Sequence, residues 1–232
     1  MGAAMDPRVA RGMEAQLRHW RTLLAGGAAR VGWKIGLNDP RVQRHFGLAG
    51  CVVGHLTLAT ALVPRRRHSL AGGTRVGAEP EVAIHLGRDV PPGADRALAG
   101  TAIIGLGAAL ELVDIDGPLD DLEQIVARNT FHRGVLIGPT NPDRAGGVLA
   151  DVTARVLHNA EEVAAVDAAA AVGDVPGLVR FAADFLGACG ERLLAGDWIL
   201  SGALTPQVWV QAGDVVGVDL GPLGSLSLGF TA

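Results

Sequence analysis

Two apolar runs, Ala78–Val90 (AEPEVAIHLGRDV) and Thr101–Asp116 (TAIIGLGAALELVDID), carry three carboxylates into a setting that otherwise excludes charge. Both read as β-strands. Successive side chains on a strand alternate faces, so Glu79 and Glu81 point the same way, about 6.5–7 Å apart. Pro80 points the other way and has no N–H for a ladder, which predicts an edge or a bulge at that point. Glu111 sits between Leu110 and Leu112, where an unpaired charge is costly. Three carboxylates gathered on neighbouring strands repel one another unless a cation lies among them. Oxygen-only donors suit Mg²⁺ or Mn²⁺ better than zinc. The residues alone also allow a plainer arrangement, in which Glu79 and Glu81 are solvated and Glu111 pairs with an arginine.

The rest of the chain predicts a mixed fold of α+β type, mainly β. Asp6 and Pro7 start a helix that Gly26 and Gly27 stop, with Val9, Met13, Leu17, Trp20 and Leu24 along one stripe. VGWKIGL (31–37) is a short strand carrying a single lysine, Lys34. A short helix follows at 39–49, a strand within 51–63, and a solvated turn at Arg65, Arg66 and Arg67. The linker GRDVPPGADRALAG reads as Gly/Pro turn. Residues 121–130 are a helical candidate, and 152–164 a hairpin turning near Asn159. Pro176–Cys189 is a helix with Leu178, Phe181, Phe185 and Cys189 on its apolar face. Four strands close the chain, two of them introduced by Ala-Gly-Asp turns. Strands outnumber helices without alternating with them, and 33 glycines suit a turn-rich globule, so a rolled mixed sheet with outer helices is expected over a doubly wound one. Gly105-Leu106-Gly107 is not a phosphate loop, because it runs on as strand. We expect an N-terminal helical segment (1–30) and a catalytic domain (31–232).

The net charge of −4 gives no reason to expect nucleic acid as a partner. No run of 18 apolar residues free of charge suggests a membrane span. Cys51 and Cys189 make no disulfide framework, so the expected compartment is the cytoplasm.

Five blocks, in the same order from about residue 30 to 230, resemble one family. VGWKIGL is similar to the G-[YRW]-K-[IV]-G block of 2-keto-4-pentenoate hydratases and 4-oxalocrotonate decarboxylases, members of the fumarylacetoacetate hydrolase superfamily. AEPEVAIHLGRDV is similar to E-x-E-[IV]-A-x-x-[LI]-G-[RK]-D, and ALELVD to A-L-E-[IV]-V-D. AGDWILSGALT and AGDVVGVDLGPLGSLSLGF resemble the closing segment. The resemblance implies a mixed-sheet β-roll with flanking helices. It also implies a homo-oligomer and a lyase of aromatic-compound catabolism that takes a small 2-oxo or 2-hydroxydienoate acid through a metal-stabilised enolate. Glu79, Glu81 and Glu111 become the ligands of one Mg²⁺ or Mn²⁺, Lys34 the active-site lysine, and Ser201 and Thr205 substrate neighbours. Asp114 matches the aspartate after the third ligand, with a structural role equally open.

Glutamate at 111 favours the hydratase and decarboxylase branch over C–C hydrolases of acylpyruvates, the alternative activity. Two departures mark the proton-handling half. Where relatives carry P-D-F-G this chain has Cys51-Val52-Val53-Gly54, and we expect Val53 in place of an acid. Where they carry N-[AT]-S-S it has Asn129-Thr130-Phe131-His132. His132 is the candidate to take over as a catalytic group, because a histidine titrates near neutrality. Hydration, which needs proton transfer to carbon, should then suffer more than decarboxylation or tautomerisation. With no replacement, a metal-binding relative that serves as a binding or assembly subunit is the further alternative. His85, about 13 Å beyond Glu81, and His158 are expected to be structural.

Overall fold

The computed structural model describes residues 5–64 and 66–232, so the expectation for Arg65 lies outside the described residues. In chain order the elements are α1 (Pro7–Ala25), β1 (Arg30–Gly36), α2 (Pro40–Phe46), β2 (Val52–Thr57), β3 (Arg67–Ser69), β4 (Val76–Leu86), α3 (Arg96–Ala102), β5 (Ile103–Asp114) and α4 (Leu122–Ala127). They continue with β6 (His132–Ile137), β7 (Thr153–His158), β8 (Glu161–Asp167), α5 (Ala168–Val172), α6 (Val175–Ala188), β9 (Trp198–Leu200), β10 (Val208–Trp209), β11 (Val215–Asp219) and β12 (Ser225–Thr231). Among the described residues, no helix is long and apolar enough to cross a membrane.

The strands form two sheets. One has seven strands in the order β2-β1-β9-β4-β5-β6, with β10 added to β4; the other has five, β3-β12-β11-β7-β8. β1 and β9 run parallel while β4–β5 and β5–β6 are antiparallel, so the larger sheet is mixed, as expected. One continuous core takes in Met13 and Trp20 of α1, Val82 and Ile84 of β4, Val179 and Leu186 of α6, and Leu228 and Phe230 of β12. The helices flank the sheets, and the α1 stripe is buried in that core instead of standing off as an arm.

Local chemistry accounts for the element ends. Asp6 accepts from the Arg8 N–H (2.8 Å) with Pro7 in the first turn, and Asp39 does the same for Arg41 at the start of α2 (2.7 Å). The two Ala-Gly-Asp turns are alike in detail. Asp197 Oδ2 accepts from the Leu194 N–H (2.8 Å), and Asp214 Oδ2 from the Gln211 N–H (2.9 Å).

Three expectations are corrected. The Gly/Pro linker contains α3, capped by Asp95, whose carboxylate accepts from the Leu98 N–H (2.7 Å). The buried residues of α6 are Val175, Pro176, Val179, Ala182, Ala183, Phe185 and Leu186; of the expected stripe Phe185 is in the core, while Leu178, Phe181 and Cys189 lie at its margin. Small residues, Ala182 and Ala183 with Val179, complete that face and were missed beside the larger side chains. Pro80 lies on a central strand, in unbroken register with Leu110 of β5 and with no bulge beside it. On the other side β10 pairs at Gly77–Ala78 and β9 at Ala83–His85, which leaves a gap at Pro80. Its carbonyl faces that gap and accepts from the Leu204 N–H (2.9 Å), so no ladder partner waits for the missing N–H.

Candidate metal centre

Register decides which side chains meet. Glu79 lies directly opposite Glu111 across β4–β5, and Glu81 opposite Ala109. Lys34 pairs with Leu200 of β9, and Leu200 with Ala83 of β4, so Lys34 reaches the same face. The face is small and apolar around them: Leu56, Ala83, Ala109, Val135 and Leu200 are all buried. One carboxylate oxygen of each of Glu79, Glu81 and Glu111 comes within 4.8 Å of the others. Like charges directly across a ladder are destabilising, so the face holds an electrostatic conflict.

Lys34 relieves part of it. Its Nζ donates to Glu111 Oε1 at 2.7 Å, with both side chains almost wholly buried, and it points a longer contact at the Thr130 carbonyl (3.5 Å). His132 Nδ1 also meets Glu111 Oε1 (2.8 Å), while its Nε2 meets Thr60 Oγ1 (3.0 Å). Burial alone would raise the Glu111 pKa. The charge of Lys34 and the hydrogen bond of His132 outweigh it and hold the group near 2. Burial, then the charge of Glu111, pushes Glu79 up to about 7, and the same causes with Glu79 added push Glu81 well above the carboxylate range. One lysine is too little positive charge for three clustered carboxylates, two of them fully buried and Glu79 half-buried.

The unused oxygens point to what would complete the balance. Glu81 Oε2 accepts from the Gly202 N–H (2.7 Å), but Glu81 Oε1 and Glu111 Oε2 are buried without any hydrogen-bond partner. A buried carboxylate oxygen left bare is costly, and two of them on carboxylates that gather with Glu79 fit a hard divalent cation.

The segment Asn129–His132 supports this wall. Asn129, Thr130 and Phe131 have φ of 54°, 47° and 61°, three consecutive left-handed residues, none of them glycine. Each costs about 1–2 kcal/mol. Asn129 holds the turn: its Oδ1 accepts from the His55 N–H and its Nδ2 donates to the His55 carbonyl, both at 2.9 Å. Gly54 makes room, because a Cβ there would run into Asn129 Oδ1 and, at 3.0 Å, the Lys34 stem. This clamp carries the Thr130 carbonyl and His132 to the site. The helix expected over 121–130 ends at Ala127, and Asn129 and Thr130 turn left-handed instead; the signal available was asparagine's tolerance of the left-handed region.

The remaining candidates fall as follows. Ser201 is buried, and its hydroxyl accepts from the Val82 N–H (3.0 Å) and donates to the Gly202 carbonyl (2.9 Å); it fixes the turn whose amide holds Glu81. Thr205 donates to the Pro206 carbonyl (3.1 Å) and lines the cleft above Glu79. His132 lines a different cavity, behind the site. Asp114 caps the Thr74 and Arg75 amides and pairs with Arg133 (2.9 Å), a structural role. His85 stacks on Trp198 (4.2 Å), and His158 meets Asp214 (3.1 Å), both away from the carboxylates. The expectation at Val53 is corrected. Counting back from Gly54, the acid's place is Val52, opposite Gly36 on the face of Lys34; Val53 pairs with Ile35 and points into the core on the other face.

The cleft has a volume of about 740 Å³ and runs from Lys34 and Glu79 past α2 to the 203–207 turn. The cavity behind, of about 480 Å³, lies between α1, α4 and residues 57–60.

Known proteins share this sequence pattern and this fold. The fumarylacetoacetate (FAA) hydrolase C-terminal family matches residues 47–230. A 2-hydroxyhexa-2,4-dienoate hydratase of Comamonas testosteroni is 30% identical over 212 residues, 89% of this chain and 80% of its own. A 4-oxalocrotonate decarboxylase of Pseudomonas sp. is 26% identical, over 88% of this chain and 80% of its own. Among solved structures, 4-oxalocrotonate decarboxylase from Pseudomonas putida G7, complexed with magnesium and adipate, superposes with a TM-score of 0.87. It is 23% identical, over 96% of this chain and 86% of its own.

Proposed function

The chain belongs to the fumarylacetoacetate hydrolase family, and from that premise we propose a divalent-metal-dependent lyase, a hydratase or decarboxylase, that acts on small 2-oxo or 2-hydroxydienoate acids. The observation that carries the reading is the pair of bare buried oxygens, Glu81 Oε1 and Glu111 Oε2, converging with Glu79 beside a buried lysine. Glu79, Glu81 and Glu111 would hold the ion. The magnesium complex of the decarboxylase neighbour supports a divalent metal; Mg²⁺ or Mn²⁺ is the choice the all-oxygen donor set favours.

A bound divalent ion supplies a Lewis acid that stabilises negative charge developing on an adjacent substrate oxygen. The protein's own groups do the rest. Lys34 has three N–H donors; Glu111 and the Thr130 carbonyl take two, which leaves one for a substrate carboxylate or a developing enolate in the cleft. Because Lys34 is buried, its charge acts at low local dielectric, where one well-placed donor contributes about 10²–10³ in rate. His132 holds Glu111 from behind and does not reach the cleft, so it acts as a positioning residue. The Gly202 amide orients Glu81.

The test is turnover of 2-hydroxypenta-2,4-dienoate, 4-oxalocrotonate and an acylpyruvate, each with Mg²⁺ and with a chelator. Metal-dependent turnover of either of the first two, with little of the third, is the expected result. Turnover that ignores the chelator, or a preference for the acylpyruvate, would overturn it.

A further inference from the structure

We propose that Phe131 is the specificity-determining residue of this cleft: it closes the far end and restricts the site to 2-oxo acids with a short, uncharged tail. The proposal rests on the reading of the site given above. It starts from the two cavities, which share one lining residue among those described, Phe131. Everything else on the cleft side belongs to one cavity and everything behind belongs to the other, so Phe131 is the partition between them.

Distance along the chain ties Phe131 to the reacting end. Its neighbour Thr130 offers its carbonyl to Lys34 Nζ (3.5 Å), and Gly36, two residues beyond Lys34, has no room for a Cβ against the Thr130 side chain (3.0 Å). Val113 lies two residues beyond Glu111 on the same face of β5, about 7 Å along the strand. Val113, Ile125 and Phe131 form a buried cluster, with Leu37, Phe46 and Ile115 packed on it, and all six line the cleft. A substrate whose carboxylate meets Lys34 therefore meets hydrocarbon within a few carbons, and Phe131 ends the path.

Charge argues the same way. The cleft's arginine, Arg41, is on the exposed side of α2, held by Asp39, which also lines the cleft. His45, the cleft's other basic side chain besides Lys34, lies edge-on to Phe46 on α2 (4.8 Å), and a second carboxylate laid along the apolar wall of Val113, Ile125 and Phe131 would be stripped of water, which is costly. The Asn129 clamp holds the backbone at Phe131, and packing of its ring against Val113 and Ile125 holds the side chain, so the wall is set by the fold.

The experiment measures dissociation constants of unreactive saturated acids by titration calorimetry of the full chain with saturating Mg²⁺. The probes are 2-oxohexanoate, 2-oxodecanoate and 2-oxohexanedioate. Wild type is expected to bind 2-oxohexanoate at least tenfold more tightly than either of the other two. In Phe131→Ala the cleft opens into the rear cavity, and the ratio of 2-oxodecanoate to 2-oxohexanoate affinity should rise at least tenfold. Phe131→Leu, closer in volume, should move the ratio part of the way and serves if the alanine variant does not fold. Wild type that accepts 2-oxodecanoate or 2-oxohexanedioate as readily as 2-oxohexanoate, or variants that leave the ratio unchanged, would overturn the proposal alone. Binding of none of these acids would remove the 2-oxo acid reading itself, and the proposal with it.

Discussion

Glu111→Gln is expected to fold, to lose at least 10²-fold in Mg²⁺ affinity, and to lose at least 10³-fold in kcat/KM. Glu111 Oε1 already serves Lys34 and His132, which leaves Oε2 as the free donor to a cation. Glutamine keeps the volume but must turn its amide N–H groups toward either the two donors or the ion; each arrangement is repulsive. The factor of 10³ in rate corresponds to about 4 kcal/mol, the size of one preorganised charge interaction at a water-excluded site. Lys34 would also lose its partner. Breaking a buried pair costs about 3–5 kcal/mol, and the low end applies here because Glu79 and Glu81 stand ready to ionise in its place. Denaturant unfolding, Mg²⁺ calorimetry and kinetics on the same preparation check all three. Near-normal magnesium affinity in this variant would remove Glu111 from the ligand set.

Lys34→Met should separate stability, metal affinity and activity in a way that no simple loss of fold can imitate. Methionine matches the stem of the lysine and removes its charge, which leaves the three clustered carboxylates with no strong cation among them. The metal-free variant should lose about 3 kcal/mol or more of stability. A divalent ion no longer competes with an ammonium that sits 2.7 Å from Glu111, so Mg²⁺ should bind at least tenfold more tightly than to wild type and should recover most of the lost stability. Activity should nevertheless fall at least 10²-fold, with the magnesium site full. Thermal melts with and without Mg²⁺ show the first two effects. A variant whose magnesium response is unchanged or weaker would mean that Lys34 and the ion do not share Glu111.

Much of this site was legible because it lies on strands. Period-two alternation placed Glu79 and Glu81 on one face, and the apolar flanks of Glu111 marked a buried charge; the structure adds the register that brings Glu111 opposite Glu79. The position of Lys34 beside them depends on β9 threading between β1 and β4, a long-range pairing that no local pattern encodes. At β2 the match to P-D-F-G is one residue off when Val53 is taken for Val52, and one residue of strand reverses the face. Turn chemistry was legible at the aspartate caps Asp6, Asp39, Asp197 and Asp214, but not at Asp95, where neighbouring glycines and prolines hid the start of α3. It failed at Pro80, because proline's preference for sheet edges says nothing of a gap left between two short partner strands. It failed again at Asn129–Phe131. Three left-handed residues in series are held by contacts to His55, 74 positions away, and neither Thr130 nor Phe131 favours that conformation by itself.

The account depends above all on one divalent ion held by three carboxylates, and anomalous diffraction from crystals soaked in MnCl₂ tests it most directly. The expected result is a single peak between β4 and β5, with one oxygen each from Glu79, Glu81 and Glu111 at about 2.0–2.2 Å and Lys34 still paired with Glu111. No peak among these carboxylates at a manganese concentration that saturates activity, or a peak elsewhere on the protein, would contradict it.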